Sequence, residues 1–196
     1  MKKAALTILL AVNAAIRVHA QGRIAFDNQF NSNLTPDATN QGGVFDCGVL
    51  ATGNFNASLY GGNSPTNLSL IVTLTQSSGN ILSGDVIGMP GQWIDVTGQA
   101  YIVPGVPILG SGFFEVFAWE GNYDSYAAAL AAGECAGRSG VFRNFTSSPT
   151  ANTDDLTGMP SFDICPDCPE PGSLALCGLG AVSLLHFCRK KDSCNP

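Results

Sequence analysis

The stretch that most constrains the fold runs from Leu68 to Thr75. Here Leu68, Leu70, Val72 and Leu74 alternate with Ser69, Thr73 and Thr75. A period of two sends successive side chains to opposite faces of an extended chain, so this spacing predicts a strand with one buried face. A second alternation precedes it, with Phe55, Ala57 and Leu59 set against Asn56, Ser58 and Tyr60. Gly61-Gly62-Asn63 is expected to end that strand, and Ser77-Ser78-Gly79-Asn80 to turn the chain after the next.

Shorter runs of the same kind fill the rest. Arg23 to Asp27 opens the series and Asn28 to Gly43 reads as a polar loop. Val44 to Cys47, Ile81-Leu82, Trp93 to Val96 and Tyr101 to Val103 follow, with Pro90-Gly91 and Pro104-Gly105 as breaks. Phe113 to Trp119 holds a single charge, Glu115, and is expected to be a central strand covered on both faces. Ser125 to Ala132 changes character: alanines favour helix, Asp124 or Ser125 can cap it, and Gly133 can close it in a left-handed conformation. Val141 to Phe145 returns to strand, Thr146 to Thr153 loops out, and Ser161 to Ile164 closes the series. Short strands punctuated by Gly, Pro, Asn and Ser, with one brief helix, predict an all-β antiparallel sandwich of jelly-roll or immunoglobulin-like kind.

Charge narrows the chemistry. Residues 21 to 168 contain no His and no Lys, and only Arg23, Arg138 and Arg143 as cations, because both His and all four Lys lie in the terminal segments. Thirteen of the fifteen acids fall in the same span, Glu170 and Asp192 being the exceptions, which leaves a formal charge near −10. Such a surface repels nucleic acid and anionic lipid, so no nucleic-acid partner is expected. Without imidazole or lysine there is no Ser-His or Cys-His nucleophile, no His-ligated metal and no Schiff-base lysine. The body is therefore expected to be non-enzymatic and to carry no cofactor.

The termini supply an address. Lys2-Lys3 precede an apolar run from Ala4 to Ala15, and Val18-His19-Ala20 suits signal peptidase, so residues 1–20 read as a signal peptide cut between Ala20 and Gln21 after Sec export. A retained N-terminal anchor is the alternative. At the other end Pro169-Glu170-Pro171 precedes an apolar run and then Arg189-Lys190-Lys191. The 18 residues from Pro171 to Cys188 would span about 27 Å as a helix, just enough for a thin bilayer core.

This order of parts resembles the PEP-CTERM sorting tail of exported bacterial proteins. The resemblance extends to the body, through Gly22-Arg23-Ile24-Ala25-Phe26-Asp27-Asn28, Leu59-Tyr60-Gly61-Gly62, the Ser125 to Phe142 segment, and Leu156 to Phe162. It implies that Pro169, Glu170 and Pro171 are recognised by an exosortase and that the protein belongs to the cell envelope or its exopolysaccharide matrix. Arg189, Lys190 and Lys191 would stop transfer and stay cytoplasmic. The resulting layout is a signal peptide (1–20), an exported body (21–164), a linker (165–171), a transmembrane sorting helix with its basic cluster (172–191) and a short cytoplasmic end (192–196). A plain C-terminal membrane anchor is the simpler alternative.

Within the exported part, four cysteines allow three pairings; Cys47 with Cys135 and Cys165 with Cys168 is the expectation. Cys165-Pro166-Asp167-Cys168 has redox spacing but lies in a proline-rich stalk with no helix behind it. A thiolate zinc site using Cys47 and Cys135 has only one close pair to build on. Asp154 and Asp155 are weak candidates for calcium, and Glu115, Glu120 and Glu134 for a carboxylate hydrolase. Trp93, Trp119, Tyr101, Tyr123 and Tyr126 could stack on sugar rings in a carbohydrate-binding module, although packing in the core would account for most of them.

Overall fold

The computed structural model describes residues 21–29, 42–148 and 155–165. The chain divides into two units, Met1–Pro166 and Asp167–Pro196, and every described residue belongs to the first. The signal peptide, the Pro169-Glu170-Pro171 triplet, the sorting helix, Arg189, Lys190, Lys191, Cys168 and Asp154 lie outside the described residues.

The body is all-β. Twelve strands are found among the described residues: β1 (Gln21–Ala25), β2 (Val44–Asp46), β3 (Val49–Leu50), β4 (Phe55–Ser64), β5 (Asn67–Leu74), β6 (Ile81–Ser83), β7 (Trp93–Asp95), β8 (Ala100–Pro107), β9 (Ser111–Glu120), β10 (Ala136–Arg138), β11 (Phe142–Phe145) and β12 (Phe162–Asp163). One α-helix, α1 (Tyr126–Ala132), and a 3-10 turn at Gly84–Ile87 complete them. The largest sheet has β9 and β4 at its centre, β5 on one side, and β10 and β11 sharing the far side of β9. β1 pairs with β8, β6 with β7, and β3 with β2, all antiparallel. Among the described residues the β12–β2 pair alone is parallel.

Alternation decides the core. Phe55, Ala57 and Leu59 of β4 and Phe114, Val116 and Ala118 of β9 are buried on the inner face of the five-stranded sheet. They meet Ile24, Phe26, Val103 and Val106 from the β1–β8 side in one apolar cluster. Trp93 sits at its heart, fully enclosed, edge-on to Phe26 and Phe55 with ring centroids 5.4 and 6.2 Å away. Its indole N–H donates to the Phe26 carbonyl at 3.0 Å, so the one polar atom of a large buried ring is satisfied. Asn28 locks the same corner. Its Oδ1 accepts from the Trp93 N–H at 2.7 Å and its Nδ2 donates to the Gly91 carbonyl at 3.2 Å.

The strands depart from the sequence expectations at four places. β4 does not stop at Gly61-Gly62 but runs through it to Ser64. A Cβ on Gly61 would lie 2.7 Å from the Ile71 side chain, and one on Gly62 2.6 Å from the Asn67 carbonyl, so these glycines permit close approach rather than a turn. Pro104-Gly105 likewise lies inside β8. In β5 the pairing skips Ile71, with Leu59 opposite Val72 but Tyr60 opposite Leu70. That bulge turns Leu70 outward, where it is 53% exposed, while Val72 and Leu74 stay on the inner side. Lastly, β9 is not covered along the whole of its second face: Phe113, Glu115 and Phe117 alternate with the buried residues and remain part-exposed, and only Trp119 on that side is enclosed.

The helix follows its signals. Ser125 is the N-cap and accepts from the Ala128 N–H at 3.2 Å, and Gly133 closes the helix at φ 81°. The disulfide corrects the expected pairing. Cys135 joins Cys165, not Cys47, and Cys165 is therefore not bonded to Cys168. The cause is strand placement: a Cβ on Gly137 of β10 would lie 2.1 Å from the Asp163 carbonyl of β12, so the residues flanking these two strands meet. Cys47 is also held in a disulfide.

Candidate functional site

The outer face of the five-stranded sheet is the candidate site. Side chains of directly opposed residues point to the same side of a sheet, so the register assigns its occupants. Tyr60 lies opposite Glu115, Arg138 opposite Phe117, and Arg143 opposite Phe113. Phe145, opposite Ser111, is 68% exposed.

Three aromatic rings form a connected row. Tyr60 and Phe117 meet edge to face at 5.0 Å, and Phe117 meets Tyr126 of α1 edge to face at 4.9 Å. These geometries hold the rings mutually upright while leaving part of each open to solvent. Two cations flank the row. The Arg143 guanidinium carbon stands 5.5 Å from the Phe113 ring centroid, and Arg138 Nη1 lies 3.4 Å from Glu115 Oε1. The Arg138 side chain is 64% exposed, so most of its five N–H donors remain available. Trp119 shares the parity of this face but is fully enclosed, its indole N–H donating to the Tyr123 carbonyl at 2.8 Å. The chain leading into α1 thus covers one end of the face and leaves the rest open.

The residues singled out by sequence are scattered. Trp93 and Trp119 are both fully buried and cannot stack on a ligand. Tyr101 is tied to Asp95, its hydroxyl donating to Oδ2 at 2.6 Å, and burial together with that bond pushes its pKa up to about 12. Tyr123 reaches Glu134 at 3.4 Å. Only Tyr126 joins the aromatic row. Tyr60, Phe113, Phe117, Arg138 and Arg143 were not anticipated.

The acids separate into different settings. Glu115 is on the outer face of β9 with Arg138, whereas Glu120 has the opposite parity at the strand's end. Burial, then Asp46 and Glu134, raise the Glu120 pKa. Asp155 lies beside Asp27, whose carboxyl is pushed up to about 7 by burial first and then by the charges of Asp155 and Asp95. Asp95 is fixed by the Thr97 N–H at 2.8 Å and by Tyr101. Among the described residues, Asp27 Oδ1 is wholly buried with no hydrogen-bond partner. That oxygen is sealed from any dissolved substrate. Among the described residues, the group with metal-ligand proximity is Asp46, Cys47 and Cys165. Both cysteines are oxidised, so neither offers a thiolate to zinc.

Comparison of the chain with family models, with curated proteins and with solved structures gives no match. Among the described residues no helix is long and apolar enough to cross a membrane.

Proposed function

We propose that this protein is a carbohydrate-binding component of the bacterial cell surface or its exopolysaccharide matrix, with the outer sheet face as its contact surface. The observation that carries the reading is the open row of Tyr60, Phe117 and Tyr126. A monomeric soluble domain has no structural need for connected rings at its surface, and such patches mark contact sites. Sugar rings present C–H faces that pack on aromatic rings, and their hydroxyls take up neighbouring hydrogen-bond donors. In this reading the body is a β-sandwich of jelly-roll or immunoglobulin-like kind and does no covalent chemistry. The lack of His and Lys between residues 21 and 168 supports that.

Delivery is part of the same proposal. The signal peptide would direct export through the Sec machinery, signal peptidase would cut after Ala20, and the tail would hold the chain in the inner membrane until an exosortase acts at Pro169-Glu170-Pro171. The order of triplet, apolar run and Arg189-Lys190-Lys191 supports this. Two measurements test the proposal. Mass spectrometry of the surface-exposed protein from native cells is expected to find a chain that starts at Gln21 and lacks Leu176 to Lys191. A glycan array probed with that protein is expected to show binding. Full-length chain retained in the cytosol contradicts the delivery, and silence across the array contradicts the binding.

A further inference from the structure

We infer that the ligand of the outer sheet face is an acidic polysaccharide, one bearing carboxylate or sulfate groups along its chain; this rests on the carbohydrate-binding reading and names its ligand class. The argument is charge placement. Residues 21 to 168 carry three arginines against thirteen acids, yet two of the three, Arg138 and Arg143, stand on this one face. Glu115 is the acid that the register places among them, and it is paired with Arg138. The face therefore has one cation in excess on a body with a formal charge near −10. Any anionic partner would be repelled elsewhere and admitted here.

The chemistry of the two cations fits the same ligand. A guanidinium offers a planar fork of donors that matches carboxylate and sulfate oxygens bidentately. Arg143 stands over the Phe113 ring, 5.5 Å from its centroid, and is exposed, so an anion can approach it from solvent. Arg138 and Arg143 lie opposite Phe117 and Phe113, four residues apart along β9. At roughly 3.3 Å per residue that is about 13 Å, too far for one sugar ring to bridge. The aromatic row lies alongside this span. The ligand is thus a chain whose neutral ring faces rest on Tyr60, Phe117 and Tyr126 while its acid groups reach the arginines.

The test uses the exported protein as purified from its host, with three probes: polygalacturonate, the neutral glucan dextran, and poly-glutamate. Affinities are measured at low and at physiological salt for the parent, Arg143→Gln, Arg143→Lys and Arg138→Gln. The expected result is that polygalacturonate binds most tightly and weakens as salt rises. Arg143→Gln should lose about tenfold, with partial recovery in Arg143→Lys. All three substitutions are at exposed positions, so the fold is retained. Dextran bound as tightly as polygalacturonate, without salt dependence, overturns the acidic ligand and leaves the carbohydrate reading standing. Poly-glutamate bound as tightly as polygalacturonate overturns the polysaccharide in favour of any acidic chain. No binding to either glycan removes both inferences together.

Discussion

The two faces of the five-stranded sheet are made by the same strands and obey opposite rules. On β9 the inner residues Phe114, Val116 and Ala118 are fully enclosed, while the outer residues Phe113, Glu115 and Phe117 are part-exposed. Inner rings are packed on all sides: Phe114 meets Phe142 at 6.0 Å within the apolar cluster. On the outer side Tyr60 and Phe117 touch one another, Arg143 stands over Phe113, and all three rings remain part-exposed. The difference teaches that aromatic content alone does not locate a binding surface. The same residue type one position along the strand is core or contact, and the pleat decides which.

The comparison is broken most severely from inside. Phe114→Ala should destabilise the body by about 3–5 kcal/mol, since a cavity replaces a close-packed ring, whereas Phe117→Ala on the outer face should cost about 1 kcal/mol. Urea unfolding of both variants measures the contrast. Equal losses would mean that the outer row is structural. Next in size is the covalent staple. Cys135→Ser opens a bond spanning 30 residues and should cost about 2–4 kcal/mol, read as a lower unfolding midpoint than the parent's under non-reducing conditions.

A smaller effect sharpens the account of the inner side and depends on pH. Asp27 has a folded pKa of about 7 against an ordinary value of 3.8, so the folded state favours its proton. Its contribution to stability is complete below pH 3.8 and is lost as pH rises through about 7. The parent should therefore weaken between pH 4 and pH 8, in the range where Asp27 meets Asp155 and Asp95 as a third charge. Asp27→Asn should be the more stable protein at pH 8, by on the order of 1–2 kcal/mol after allowance for solvent screening, with the gap closing toward pH 4. Thermal melts at several pH values check this. The least effect belongs to Arg138→Gln, which removes an exposed ion pair with Glu115 and should change stability by less than about 1 kcal/mol. A larger change would place Arg138 among the structural residues.

Much of the fold was legible because period-two patterning and capping are local signals. β5, β9 and α1 were expected close to where they stand, and Ser125 and Gly133 do what their residue types suggest. What failed depended on neighbours distant in sequence. Gly61-Gly62 looks like a break until Ile71 and Asn67 are seen pressed against it. The Ile71 bulge cannot be read from the even alternation around it. The cysteine pairing follows from β10 lying against β12, a long-range fact.

The candidate site was harder to read. Phe113-Phe114-Glu115-Val116-Phe117 looked apolar enough to be covered twice, yet the charge at its centre shares parity with both flanking rings. A glutamate between two phenylalanines at spacing two was the available sign that this face is open. Tyr60 and Tyr126 join it only through tertiary contact, and no local pattern announces that.

The most direct measurement is the carbohydrate affinity of the doubly substituted Tyr60→Ala, Phe117→Ala protein, beside the parent, with folding checked by near-ultraviolet circular dichroism and melting temperature. The account predicts a retained fold and an affinity reduced by tenfold or more, about 1.4 kcal/mol. An unchanged affinity in a folded protein would contradict it and move the binding surface elsewhere.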